Sequence, residues 1–428
     1  MNALEVLQAL IRREWPVRLL SPLIGKYNPF HPDFRRDPYP SYRRLRETAP
    51  IYKSPPLQSL ILSRYQDVAP LLQDPRFGVD RTKARIEEKL GMFDALPSGL
   101  GEAVTTSLLM TDAPDHTRLR RLVSRAFTPR VIQRLGDRVG DLVGELLDEM
   151  AHKPDPDLIR DLADPLPLLV IAEMLGVPVA DRAQLKTWSN SAVGILDPLQ
   201  AEGGIRNIAE AFDGLSAHLD RVFADRRATP REDLVSALVA VEEQGDVLSE
   251  VELKSLCLLI LVAGNETTTN LIGNGMLALL HHPDERRRLQ DDPSLARTAI
   301  EEMLRYDSPI QMTDRVALEP LELGGKRVRK GDVVGVILAS ANRDPEQFSD
   351  PDRLDIGRKD NQHLAFGHGV HFCLGAQLAR LEGQTAITRL LERFPDLDGE
   401  RNPTSWKRSL VLRGLTSLRL DLRATAVG

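Results

Sequence analysis

The chain has 428 residues, with 56 Lys and Arg against 62 Asp and Glu for a net charge of -6, and two cysteines, Cys257 and Cys373. That balance offers no basic excess for nucleic acid, and two distant cysteines make neither a disulfide framework nor a CxxC metal knuckle, so a cytoplasmic protein is expected. The length passes the roughly 250–300 residues at which single cores stop growing, yet no repeat or linker divides it, so 1–428 reads as one domain with 1–30 as an extension.

Taken in chain order, Leu4, Leu7 and Ile11 recur at helical spacing. Glu5 precedes Arg12 and Arg13, the reverse of a signal peptide's charge order. This segment reads as a helix lying on the protein's own body; the alternative is one resting on a membrane surface. A Pro-rich entry over 28–42 leads into a short helix at SYRRLRE, and weak strand signals follow near Ile51 and over 59–63. From about Thr117 to Leu280 the chain reads mainly helical, with three-four apolar spacing over 130–150 and 207–228. Apolar residues run together from Leu256 to Gly264, too short a run to span a bilayer, so no integral membrane span is expected.

The longest predicted helix begins at Ser249, which forms a capping box with Glu252, and stops at His281-His282-Pro283. It would be roughly 48 Å long. Gly264, Asn265 and three threonines inside it are poor helix formers, which predicts a helix that opens locally. Leu259, Ala263 and Thr267 share one face at i, i+4 and i+8, flanked by Val262 and Glu266. After Pro309 the stretch LELGGKRVRKGDVVGVILAS reads as strands around a Gly324–Gly325 turn. A last helix follows Cys373, from about Gly375 to Arg393. The pattern is mainly α with a smaller β portion, and no GxGxxG or GxxxxGK[ST] loop supports a nucleotide site.

The segment FGHGVHFCLG, Phe366 to Gly375, concentrates the chemistry. A metal-binding thiolate needs backbone amides aimed at its sulfur. Gly367, Gly369 and Gly375 allow a close approach, and the following helix would lower the thiol pKa. Three readings of Cys373 are open: an iron-ligating thiolate, a buried free cysteine, or a zinc site with His363, His368 or His371. Cys257, in SLCLLILV, reads as core.

FGHGVHFCLG resembles the cysteine-ligand loop of the cytochrome P-450 family. Three further stretches resemble that family's signatures in the expected order: AGNETT over Ala263–Thr268, ExxR at Glu302 and Arg305 with Arg353 of PDR as third member of a triad, and the pair His116 and Arg120. The resemblance runs from about Asp33 to Leu422. Leu354 and Glu266 depart from it slightly, standing where Phe and Asp are frequent. It implies a helical triangular prism with the long helix over haem b, and Cys373 as the axial iron ligand. Haem contacts would come from His116, Arg120, Ala263, Arg315, Phe366, His371 and Gly375, with Glu266 and Thr267 as a catalytic proton relay. Arg118, Arg121 and Arg125 form either a solvated face or a docking patch.

The implied reaction inserts one oxygen atom of O2 into a hydrophobic molecule such as a fatty acid, terpenoid, steroid or macrolide. Electrons would come from a separate ferredoxin and ferredoxin reductase. The pocket would be lined by 77–109, Leu259, Val262, Ala263, Gln311 and Val411. The alternatives are a peroxide-driven enzyme, which would usually lack the Glu266–Thr267 pair, and a haem-binding sensor without turnover.

Overall fold

The computed structural model describes residues 25–55, 59–91, 93–94, 96–124, 129–178, 181–195, 204–243, 248–400 and 406–422. The predicted N-terminal helix and Arg125 lie outside them. Helices dominate, as the periodicity predicts. In chain order, those that frame the site are α1 (Tyr39–Thr48), α2 (Asp115–Ser124), α3 (Pro129–Ala151), α4 (Pro165–Met174), α5 (Arg182–Ala192), α6 (Gly204–Ala228), α7 (Glu250–His281), α8 (Ala296–Tyr306) and α9 (Ala376–Arg393).

The β portion is a five-stranded sheet built from β1 (Ile51–Ser54), β2 (Ser59–Leu62), β3 (Phe77–Gly78), β4 (Thr313–Ala317) and β5 (Val333–Val336). Its spatial order is β1-β2-β5-β4-β3. β2 and β5 run parallel and the other pairings are antiparallel. The predicted Gly324–Gly325 turn joins a separate hairpin, Leu321–Leu323 with Lys326–Val328, and both glycines take positive φ, as a two-residue hairpin turn requires.

α7 is the axis of the helical part. Ser249 Oγ accepts the Glu252 N–H, and Glu252 accepts the Ser249 N–H at 2.8 Å, so the capping box forms as expected. The helix stays α-helical over all 32 residues, which corrects the expected local opening near Gly264 and Asn265. The polar side chains find partners instead. Thr267 Oγ1 donates to the Ala263 carbonyl at 2.7 Å, and Thr269 Oγ1 reaches the carbonyls of Asn265 and Ala163, both at 3.0 Å. Asn265 donates to Ser189 Oγ on α5. Bonds back to the i−4 carbonyl let hydroxyls sit in a helix without breaking it. Among the described residues α7 is the one helix long and apolar enough to cross a membrane, but 72% of its apolar window is buried inside the protein.

Ala163 belongs to a π-helical turn, Ile159–Ala163, held by Asp161. The Asp161 side chain is fully buried and paired with Lys153 and Arg160. Burial alone would raise its pKa, but hydrogen bonds from Arg160, Lys153 and the Asp157 amide outweigh it and hold the carboxyl at about 2. A depressed carboxylate pKa adds stability above its unfolded value, and that stability disappears as pH falls from about 4 to about 2. Asp161→Asn should cost about 2 kcal/mol at neutral pH and flatten the acid limb of stability between those values, measured as chemical-denaturation midpoints across pH.

Candidate active site around Cys373

The cysteine loop is shaped by its glycines and its neighbours. Gly367 and Gly369 have φ of +72° and +74°. A Cβ on Gly369 would come within 2.8 Å of the Leu72 carbonyl oxygen, so no larger residue fits there. Gly375 differs from expectation: its φ is -85° and open space surrounds the position of a Cβ. The Cys373 N–H donates to the Phe366 carbonyl at 2.9 Å, closing the loop. The Cys373 side chain is accessible although protein crowds it closely enough to desolvate it, so it faces an enclosed cleft. Burial raises its pKa, while the Gly375 N–H and the charges of Arg120 and Arg380 pull the other way. Cys257 lies in the core of α7, its thiol pushed up to about 12 by burial.

Beside the cysteine sits a group of nitrogen donors whose nearby acids, Asp112 and Asp314, are paired with Lys83 and Arg81 instead. The rings of His116 on α2 and His371 lie 4.0 Å apart, and His116 Nε2 is buried with no hydrogen-bond partner. Burial lowers the His371 pKa to about 3, helped by His116, Arg315 and Arg120. Burial lowers the Arg120 and Arg315 pKa values as well. Arg315, on β4, bonds only the Asp314 carbonyl, and Arg120 makes no side-chain hydrogen bond or ion pair to the described residues. Burying cations without partners is expensive. The cluster therefore fits an anionic group held close to Cys373.

A family model, Cytochrome P-450, matches residues 201–414. The polyketide biosynthesis cytochrome P-450 PksS of Bacillus subtilis is 40% identical over 405 residues, covering 92% of this chain and 98% of that protein. The cytochrome P-450 monooxygenase PikC of Streptomyces venezuelae is 41% identical, covering 91% and 92%. The structure of P450BioI with a hexadecenoic acid-ligated acyl carrier protein superposes with a TM-score of 0.82 at 37% identity, covering 91% and 99%. The chain belongs to the cytochrome P-450 family. It is an oxidoreductase of the monooxygenase type, with the P-450 fold.

Haem, which this family implies, fits the residues present. The P-450 cleft offers a thiol for iron, unsatisfied nitrogen donors for two carboxylates, and a glycine beside the sulfur where no side chain intrudes.

On α7 the partly open positions include Leu259, Ala263 and Thr267, the face that the spacing predicts. Leu259 and Val411 pack partly buried at the edge of the main core. Two expected pocket residues do not line the cleft. Val262 is 3% exposed within the core. Gln311 is buried and fully engaged, accepting from Tyr42 Oη at 2.9 Å and donating to the Ser308 carbonyl at 2.7 Å. Its amide braces α1 against the strand region instead of facing substrate.

Glu266 is buried and accepts from Lys407 Nζ at 2.7 Å, and the same ammonium reaches Asn270 Oδ1 at 3.3 Å. Sequence reasoning missed Lys407, which is 141 positions from Glu266 and carries no motif. Arg118 is half-buried in an ion pair with Glu252 at the start of α7, so it does not belong to a free basic face. Arg121 is exposed.

The triad also needs correction. Glu302 and Arg305 are fully buried and bidentate, both bonds 2.8 Å. The third charged member is Arg358, whose Nε donates to Glu302 Oε2 at 3.0 Å. Arg353 is exposed and supplies only its carbonyl, to Arg305 at 3.2 Å. Both arginines follow Pro351 closely, and only the turn geometry decides which one points inward. Arg358→Ala should cost about 3 kcal/mol, as loss of one partner from a buried pair does, and reduce haem retention. Arg353→Ala should stay within about 0.5 kcal/mol of wild type. Thermal melts and haem-to-protein ratios of both variants check this.

Proposed function

We propose that this P-450 inserts one oxygen atom of O2 into a hydrophobic small molecule, with the whole chain acting as one cytoplasmic catalytic domain around haem b. The single observation that carries the reading is the juxtaposition of Cys373 with a cluster of nitrogen donors, His116, Arg120, Arg315 and His371, in which the buried His116 Nε2 has no hydrogen-bond partner. Cys373 would be the axial iron ligand and the four donors would hold the propionates, with Ala263, Phe366 and Gly375 flanking the ring. When bound, a thiolate-ligated haem supplies O2 activation. Leu259, Ala263 and Val411 would present apolar surface to the substrate, so fatty acyl chains, terpenoids, steroids and macrolides are the classes to screen, by the spin-state shift that substrate induces.

Protons would be relayed by Thr267 and Glu266. Thr267 presents its hydroxyl on the open face, with the Ala263 carbonyl as resting acceptor. Glu266 rests on Lys407 and would have to leave it to serve Thr267. Electrons would come from a ferredoxin and its reductase. The support is a surface at the cysteine loop where Val370 is 71% and Phe372 38% exposed. α2, carrying exposed Arg121, is joined to that loop through the His116–His371 contact.

The reduced protein with carbon monoxide should show the far red-shifted Soret band of thiolate ligation. Cys373→His should abolish it and Cys257→Ala should leave it intact. The opposite result would move the ligand to Cys257.

Thr267→Ala should keep the substrate-induced spin shift and the rate of electron consumption but divert electrons to hydrogen peroxide. The product-to-NADH ratio should fall by about a hundredfold, the lower end of what a positioned proton donor contributes. A ratio equal to wild type, with Thr268→Ala as control, would leave the hydroxyl as a helix-bonding group only and favour a peroxide-driven enzyme.

A further inference from the structure

Glu301 and Glu302 are neighbours on α8, but Glu301 turns toward the cysteine loop. Arg380, on α9, donates through Nε and Nη2 to the two Glu301 oxygens at 2.6 and 2.8 Å. Glu301 Oε2 also meets His363 Nε2 at 3.1 Å. His363 Nδ1 accepts the Ala365 N–H at 3.2 Å, so the ring proton lies on Nε2 and points at the carboxylate. The Arg380 guanidinium stacks on the Phe366 ring, 4.7 Å from its centroid. Phe366 in turn supplies the carbonyl that fixes the Cys373 amide.

Two features make this cluster more than a clamp. Arg380 follows Cys373 by seven residues, two turns further along, so both lie on one side of the chain as it enters α9. Arg380 lies against the cysteine loop through the Phe366 ring, and its charge acts on Cys373. Its bidentate pairing with Glu301 therefore sets a cation and a compensating anion beside that loop. Glu301 stays ionised: burial would raise its pKa, but hydrogen bonds from Arg380 and His363 hold it at about 2.

We propose that Glu301 and Arg380 are positioning residues that set the reduction potential of the metal centre at Cys373. The guanidinium beside the thiolate favours the added electron, and the Glu301 carboxylate offsets part of that charge. The proposal rests on the haem-thiolate reading above. Reduction adds one negative charge to the centre. A nearby cation in a poorly screened interior stabilises that charge and an anion destabilises it.

The test is spectroelectrochemical titration of the substrate-free holoenzyme. Arg380→Gln leaves the carboxylate alone and should lower the potential. Glu301→Gln leaves the guanidinium alone and should raise it. The double variant should fall between the two single ones. Arg380→Lys, which keeps the charge but not the planar fork, should stay nearer to wild type than Arg380→Gln. A pure clamp predicts shifts of one sign, or none, in both single variants, with Arg380→Lys no better than Arg380→Gln, and that pattern would overturn the proposal. The carbon monoxide spectrum separates this from failure of the underlying reading. A red-shifted Soret band in every variant confirms that the comparison is between thiolate-ligated proteins, whereas its absence in wild type would sink the functional reading itself.

Discussion

The fully buried ion pair of Glu302 and Arg305 is the constraint around which the site is assembled. Arg305 uses all five of its N–H groups: two toward Glu302 and three toward the carbonyls of Asn342, Pro351 and Arg353. Glu302 accepts from Arg305, the Asp355 amide, Arg358 and Asn361. Ions this deep survive only when every donor and lone pair is matched. The matching partners come from 342–361, an irregular stretch that is also held by Arg343, which donates to the Tyr306 carbonyl, and by the Ile356 amide, which donates to Glu285. The network thus fixes the chain that leads into the cysteine loop. Asn342 passes the constraint on, accepting the Leu364 amide at 2.7 Å and donating to Ser308 at 2.9 Å.

From there the loop has few freedoms left. Two positive-φ glycines, the Phe366 carbonyl and the start of α9 determine where Cys373 points. Glu301 grips the same loop from the side through His363 and Arg380. One helix, α8, therefore anchors both the approach to the cysteine and the electrostatics beside it. The opposite wall is α7, whose apolar burial fixes it rigidly while leaving Leu259, Ala263 and Thr267 partly open.

Much of this was legible in the sequence because it depends on local rules. The α7 boundaries follow from a capping box and a proline, and the hairpin at Gly324–Gly325 from its turn residues. The cysteine loop, His116–Arg120 and ExxR were readable as motifs, and the structure brings His116, Arg120, Arg315 and His371 together. Apart from Gly375, whose backbone is ordinary, the failures are tertiary. Arg353 and Arg358 are equivalent in type and differ only in which side of a turn they leave. Gln311 looks like a lone polar pocket residue until Tyr42, 269 positions away, claims it. The threonines and Asn265 suggested a weakened helix, but Thr267 and Thr269 bond back to carbonyls and Asn265 donates to Ser189 within an intact one. Lys407 could not be foreseen, since nothing local connects it to Glu266.

The central claim is that the buried network holds the cysteine loop in its ligating shape. Amide hydrogen exchange over 364–373 tests it most directly, because the Leu364, Gly367, Phe372 and Cys373 amides are all hydrogen-bonded in that shape. In Glu302→Gln these amides should exchange at least about tenfold faster than in wild type, a local opening eased by about 1.4 kcal/mol, while those of the α7 core keep their protection. Unchanged exchange over 364–373 in that variant would mean that the loop is self-supporting and that the network serves only the chain before it.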